Sequence, residues 1–153
     1  MITAAISADR RAVHGPRSAR RWWTAVLAVA LAGAYPAFVL GYVYWHALTA
    51  GFPGARHGPQ DAYRHVLASG VVAYTVSPRA VDWVSAVMEF GDDPGSRMDR
   101  HNNAIGASIG ASATSFRQIR PEAERRVRAG RVDARDPEQV TWLPRGQWSD
   151  LPF

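Results

Sequence analysis

Asp61, Arg64 and His65 stand at i, i+3 and i+4, a spacing that puts all three side chains on one face of a helix. An imidazole beside a carboxylate is the pair that general acid–base catalysis uses, and a guanidinium within the same turn can grip a phosphate or a carboxylate. Two later segments carry polar stripes of their own. Asp82, Ser85 and Glu89 recur at helical spacing, as do Asp99, Asn102, Asn103 and Gly106. If the three stripes converge, His65, Glu89, Asp99, Asn102 and Asn103 meet in one cleft, with Arg64 placed to bind an anion.

Each of these residues also has a plainer role. Asp61 in a first helical turn favours the helix dipole and pairs with Arg64, Asp99 can cap a helix, Glu89 can be solvated at a helix end, and a lone His65 can be a satisfied structural residue. Asn102 and Asn103 are different, because two adjacent asparagines past a first turn lower helix propensity without serving as a cap. The fold must use them, in a reactive cleft or in a polar network between helices. A metal-binding form of the cleft would draw on His65, Glu89 and Asp99, with His101 as a fourth donor. It is the weaker form, since His101 follows Asp99 by two positions and points about 200° away around a helix.

The elements that would carry these residues are helices. Pro59 suits a first helical position, and the apolar pattern runs through Val71, Val72 and Tyr74, so the first spans about 59–76. Ser77-Pro78 opens a second, with Val81, Val84, Val87 and Met88 at helical spacing, and Gly91 to Gly95 closes it. Ser96 with Asp99 resembles a capping box and starts a third, with a buried stripe of Ile105, Ile109, Ala113 and Phe116 and with Gly106 and Gly110 admitting a neighbouring helix. Pro121 starts a fourth, rich in Glu and Arg, and Gly130 stops it. Trp142, Trp148 and Phe153 sit among prolines in a C-terminal segment packed over the helices. No repeat or strand-rich region is visible, so the expected class is all-α.

Ahead of this domain lies an apolar run. From Trp22 to Trp45 there are 24 residues without a charge, about 36 Å of helix against a hydrocarbon core of about 30 Å. Arg17, Arg20 and Arg21 precede it and the next basic residue is Arg56, which places the N-terminus in the cytoplasm. Trp22, Trp23, Tyr42, Tyr44 and Trp45 occupy interfacial positions, and Pro36 should kink the helix without breaking it. Two other readings use the same residues. A cleaved signal would take Thr24–Leu31 as its apolar stretch and Ala32, Gly33 and Ala34 as its cleavage site, and Arg20-Arg21 suggests a twin-arginine signal. All three export the domain.

The expected organisation is a basic cytoplasmic tail over 1–21, a transmembrane helix over 22–45, a Gly- and Pro-rich linker over 46–58 and an exported helical domain over 59–153. Charge follows the same division. Of the net +5, four charges belong to residues 1–21, and the remainder sets thirteen arginines against twelve acids. That balance argues against recognition of a nucleic-acid backbone. Absence of cysteine excludes disulfides, thiolate metal sites and cysteine nucleophiles.

The run Gly58-Pro59-Gln60-Asp61-Ala62-Tyr63-Arg64-His65, then Glu89, then Met98-Asp99-Arg100-His101-Asn102-Asn103-Ala104-Ile105-Gly106, resembles an uncharacterised family of bacterial helical domains. Its signature is G-P-x-D-A-x-R-H, then H-E, then M-D-x-x-N-N-x-x-G, and it occurs in exported proteins and at the ends of some polymorphic toxins. The likeness covers residues 58–110 and departs from the pattern at Met88, where the family has histidine. It implies that Asp61, Arg64, His65, Glu89, Asp99, Asn102 and Asn103 belong to one site, and it suits a bacterial inner membrane.

Two functions follow. One is an exported hydrolase acting on an envelope component, with His65 as general base oriented by Asp61 or Glu89, Arg64 holding an anionic group, and Asn102 or Asn103 stabilising developing negative charge. The other is a non-catalytic envelope binding or scaffolding module whose polar residues form an interhelical network. The expected partners are the lipid bilayer, through residues 22–45, and an envelope component or protein. No particular cofactor is implied.

Overall fold

The computed structural model of the chain describes residues 16–88 and 91–151. The cleft candidate Glu89, the tail residue Phe153 and the first fifteen residues of the basic leader lie outside them. Among the described residues there are five α-helices, α1 (Pro16–Thr49), α2 (Pro59–Thr75), α3 (Pro78–Met88), α4 (Pro94–Ser112) and α5 (Phe116–Arg128), and then two short parallel strands, β1 (Arg131–Val132) and β2 (Thr141–Trp142). Helix predominates among the described residues, which makes the fold all-α.

Within α1, the stretch Arg21–Thr49 is long and apolar enough to cross a membrane. The chain divides at Pro36 into two compact units. Before the division Trp22, Trp23, Leu27 and Val29 stand exposed. After it Val39, Val43 and Ala47, spaced by four, are buried, so the last part of the apolar run contributes one face to the core of the second unit. Of the linker expected over 46–58, residues 46–49 belong to α1, and residues 50–58 are tied into that unit. The Pro53 carbonyl accepts from Gln60 N–H at 3.0 Å, Gly54 packs on Gly58 beneath the Trp148 ring, and Arg56 pairs with Ser149. Gly54 at φ +75° is where the loop needs a residue without a side chain.

α2 is the central element. It buries Ala62, Tyr63, Val66, Leu67, Gly70, Val71 and Ala73, nearly all the way round. Burial pushes the Tyr63 hydroxyl up to about 12, so the ring behaves as a neutral core group. α4 approaches α2 closely enough that a methyl group on Gly106 would come within 2.8 Å of Ser69 Cβ, and one on Gly110 within 2.8 Å of Ala73 Cβ. The expected glycine contact is therefore present, and it brings the polar ends of the two helices together.

Three boundaries differ from expectation. α4 starts at Pro94, and its cap is Asp93, which accepts from Gly95 N–H at 3.0 Å, Ser96 N–H at 3.1 Å and the Ser96 hydroxyl at 2.6 Å. The Ser96 hydroxyl and amide hold the Asp93 carboxyl below the usual range. Asp99 is thus not a cap. α5 starts at Phe116, where Gln118 Oε1 accepts from Thr114 N–H at 2.9 Å and Ser115 N–H at 3.3 Å, so Pro121 lies inside the helix. The stripe assigned to one helix is accordingly split: Ile105 and Ile109 are buried in α4, Ala113 ends it, and Phe116 stacks on Tyr42 at 5.3 Å from α5. On α3 only Val81 of the described stripe is buried. Val84 and Val87 are 44% and 45% exposed, because the helix docks by its Val81–Ser85 edge.

Candidate active site

Asp61 lies one turn inside α2, whose N-terminus is set by Gly58 as cap and Pro59 as first residue. Its carboxylate is 3% exposed. Oδ2 accepts the His57 N–H at 2.6 Å and Oδ1 accepts from Arg64 Nη2. His57 reaches this position in a left-handed conformation, φ 61°. The next turn of α2 presents His65, whose side chain is 24% exposed. Its Nε2 stands 3.3 Å from Asp99 Oδ1 on α4 and 3.6 Å from Asp61 Oδ1. Asp61, His65 and Asp99 each offer a ligand atom within 4.8 Å of the others, so this trio could hold a metal ion.

The other ring nitrogen, Nδ1, faces Asn103 Oδ1 at 3.2 Å. Asn103 is fixed from both sides: its oxygen accepts from the Ser69 hydroxyl at 2.8 Å and its Nδ2 donates to Ser85 Oγ at 2.9 Å. Three helices therefore orient one imidazole, as the converging stripes predict. An amide oxygen next to Nδ1 calls for a proton on that nitrogen and turns Nε2 toward the two carboxylates.

Arg64, expected to hold an anion, has protein partners at both terminal nitrogens. Its Nη1 donates to the Tyr44 hydroxyl at 3.2 Å, its Nη2 to the Ala55 carbonyl at 2.8 Å and to Asp61, and its guanidinium stacks over the Tyr44 ring at 5.4 Å. It clamps α1, the 50–58 loop and α2 together beside the site. Asn102, next to Asn103, turns away. Fully buried, it donates through Nδ2 to the Thr141 carbonyl at 2.8 Å and accepts the Thr141 N–H at 3.1 Å, holding β2 as another strand would. His101 bonds the Gln139 carbonyl at 2.9 Å, on the side away from Asp99 as its spacing requires. A cleft of about 470 Å³ opens on that same side, between Met98, His101, Asp133 and Thr141. It contains none of the convergent groups around His65.

The structure thus brings together Asp61, Arg64, His65, Asp99 and Asn103, and gives Asn102 and His101 to the C-terminal segment. Ser69 also belongs to the site. Its place four residues after His65 is the signal for it, one that serine's ordinariness in helices hides. Tyr44 and His57 carry no such signal, since one sits in an apolar run and the other in a loop. A scan of protein-family models finds no match to this chain, and searches of curated proteins and of solved structures find none either.

Proposed function

We propose that the chain is a membrane-anchored exported helical domain that hydrolyses an envelope component at the Asp61–His65–Asp99 cluster. The observation that carries this reading is the orientation of one partly exposed imidazole, its Nδ1 against Asn103 and its Nε2 at 3.3 and 3.6 Å from two carboxylates. In the simplest mechanism Nε2 takes a proton from water as its oxygen attacks a carbonyl or phosphoryl centre, and returns that proton to the leaving group. The neighbouring carboxylates stabilise the imidazolium formed in between. The likeness of residues 58–110 to bacterial exported domains supports an envelope substrate. The apolar stretch of α1, with Arg17, Arg20 and Arg21 before its uncharged run and no arginine after it until Arg56, supports a bacterial inner membrane with the N-terminus cytoplasmic and the domain in the periplasm or outside.

The test is turnover by the full chain in detergent micelles against phospholipids, peptidoglycan fragments and lipid-linked phosphate esters. One class should be cleaved, and His65→Ala should lower the rate by about 100-fold or more while helicity is kept. Cleavage of none, or undiminished cleavage by the variant, removes the reading. A C-terminal reporter active only outside the cytoplasm should be active; an inactive one overturns the topology.

A second reading is favoured by the bonding of both terminal nitrogens of Arg64, and of the Asn103 amide, to protein partners. In it the cluster is an interhelical network of a binding or scaffolding module, and His65→Ala lowers the melting temperature with no turnover to lose.

A further inference from the structure

We infer that the same cluster binds a divalent transition-metal ion, of the zinc or manganese type, through Asp61, His65 Nε2 and Asp99. This rests on reading the cluster as the reactive site and specifies what that site holds. The inference begins at Asn103. Its carbonyl oxygen, held by Ser69 and facing His65 Nδ1, requires a proton on that nitrogen. Nε2 faces Asp99 Oδ1 and Asp61 Oδ1, so one imidazole nitrogen and two carboxylate oxygens surround a common centre. Either a proton on Nε2 or a cation can hold these three atoms together, and a cation bound there would take the place of that proton.

Arg64, both of whose terminal nitrogens are already bonded, places positive charge on Asp61 Oδ1, the oxygen that also faces His65. A carboxylate oxygen has two lone pairs, and the second remains for a cation. Distances suit one. Donors around a tetrahedral ion with bonds of roughly 2.0–2.2 Å lie roughly 3.3–3.6 Å apart, and the two separations from Nε2 are 3.3 and 3.6 Å.

The surroundings match a ligand shell as well. A ligating imidazole characteristically donates its other N–H to a carbonyl oxygen, here that of Asn103, and ligating carboxylates are themselves hydrogen-bonded, as Asp61 is to His57 N–H and Arg64. One imidazole and two carboxylates favour zinc or manganese over calcium, which takes oxygen donors alone. Three protein ligands leave a position for water. With an ion bound, His65 would be a ligand and not the base, and the ion would supply the nucleophile by lowering the pKa of a water bound to it, so that no imidazole base is needed.

The experiment uses the full chain in detergent, stripped with chelator, titrated with ZnCl2 and separately with MnCl2 by calorimetry, with the melting temperature recorded at each saturation. We expect saturable 1:1 binding of at least one ion and a rise of roughly 5 °C or more at a hundredfold excess over Kd. Asp99→Asn should weaken binding at least tenfold, and nitrogen NMR of the parent should show the His65 Nε2 resonance displaced by the diamagnetic zinc ion. Absence of saturable binding by either ion, or binding that Asp99→Asn leaves unchanged, overturns the metal site. Because binding is read without turnover, a metal-loaded chain that cleaves nothing would sink the hydrolase reading alone, and His65-dependent cleavage by a chain that binds neither ion would sink the metal site alone.

Discussion

Asn102 and Asn103 are neighbours in sequence on α4, yet they serve different sides of the helix and different purposes. Asn102 is spent on a buried peptide group, completing the backbone pairing of Thr141 at 2.8 and 3.1 Å, on the side where His101 meets Gln139 and the C-terminal segment closes down. Asn103 is spent on side chains, two serines and the ring of His65, on the side that faces α2 and α3. A helix turns about 100° per residue, so adjacent positions can lie on separate surfaces. Identical chemistry thus becomes a staple in one place and an orienting group in the other. What separates them is the partner: a peptide group has no alternative when its amide partner is lost, whereas a hydroxyl can rotate or hydrate.

The most damaging way to break this contrast is to push α4 off α2, because that removes the geometry both sides depend on. Gly106→Ala should do so. Its methyl group would press against the Val66 carbonyl and Ser69 Cβ, backbone and near-backbone atoms that cannot swing aside. We expect a loss of about 3 kcal/mol in denaturant unfolding, near the top of what overpacking usually costs. A loss below about 1 kcal/mol would mean that the α2–α4 contact yields easily and does not fix the site.

Next in size is the asparagine pair itself. Asn102→Ala leaves a buried N–H and a buried carbonyl of Thr141 without partners, at about 1 kcal/mol each and about 2 kcal/mol together, and should expose residues 131–151 to limited proteolysis. Asn103→Ala removes contacts whose partners can relax, so it should cost about 1 kcal/mol while releasing the His65 ring. Equal losses from the two variants would erase the distinction and favour the network reading of both sides.

Much of this arrangement is legible in the sequence, and the exceptions have physical causes. The helices and the polar and small-residue stripes on them follow from spacing, because helical periodicity is a local rule; that Asp61, His65, Asp99 and Asn103 meet is an expectation conditional on the stripes converging, and one that the resemblance of residues 58–110 implies. Helix starts were harder to place, since Ser96–Asp99 and Asp93–Pro94 both satisfy cap chemistry and the competition is settled by Pro94, which fixes the first turn. The fate of Arg64 and of Asn102 was not legible. Each depends on a partner distant in sequence, Tyr44 and Thr141, that only packing brings within reach. The same holds for α1. Its apolar run is uniform in composition, and nothing local tells Val39, Val43 and Ala47, buried, from Leu40 and Leu48, exposed.

The smallest expected effect comes from a pair that touches neither side of α4. On α5, Glu122 accepts from Arg125 at 2.7 and 2.6 Å and from Arg126 at 3.0 Å, and these bonds, that to Arg125 foremost, lower its carboxyl to about 2. A carboxyl whose folded-state value lies below its ordinary value of 4.5 stabilises the fold while it is ionised. The contribution is therefore complete above pH 4.5 and is lost as pH falls toward 2. Its size is limited by solvent, because the Arg125 side chain is 62% exposed and exposed ion pairs contribute at most about 1 kcal/mol. Glu122→Gln should therefore cost under about 1 kcal/mol at pH 7, and the difference from the parent should fade between pH 4.5 and 2 in parallel urea melts. A larger loss at pH 7, comparable with that of Asn102→Ala, would show that α5 is held by its surface charges, and the buried amide pairing would no longer stand out as the stronger fastening.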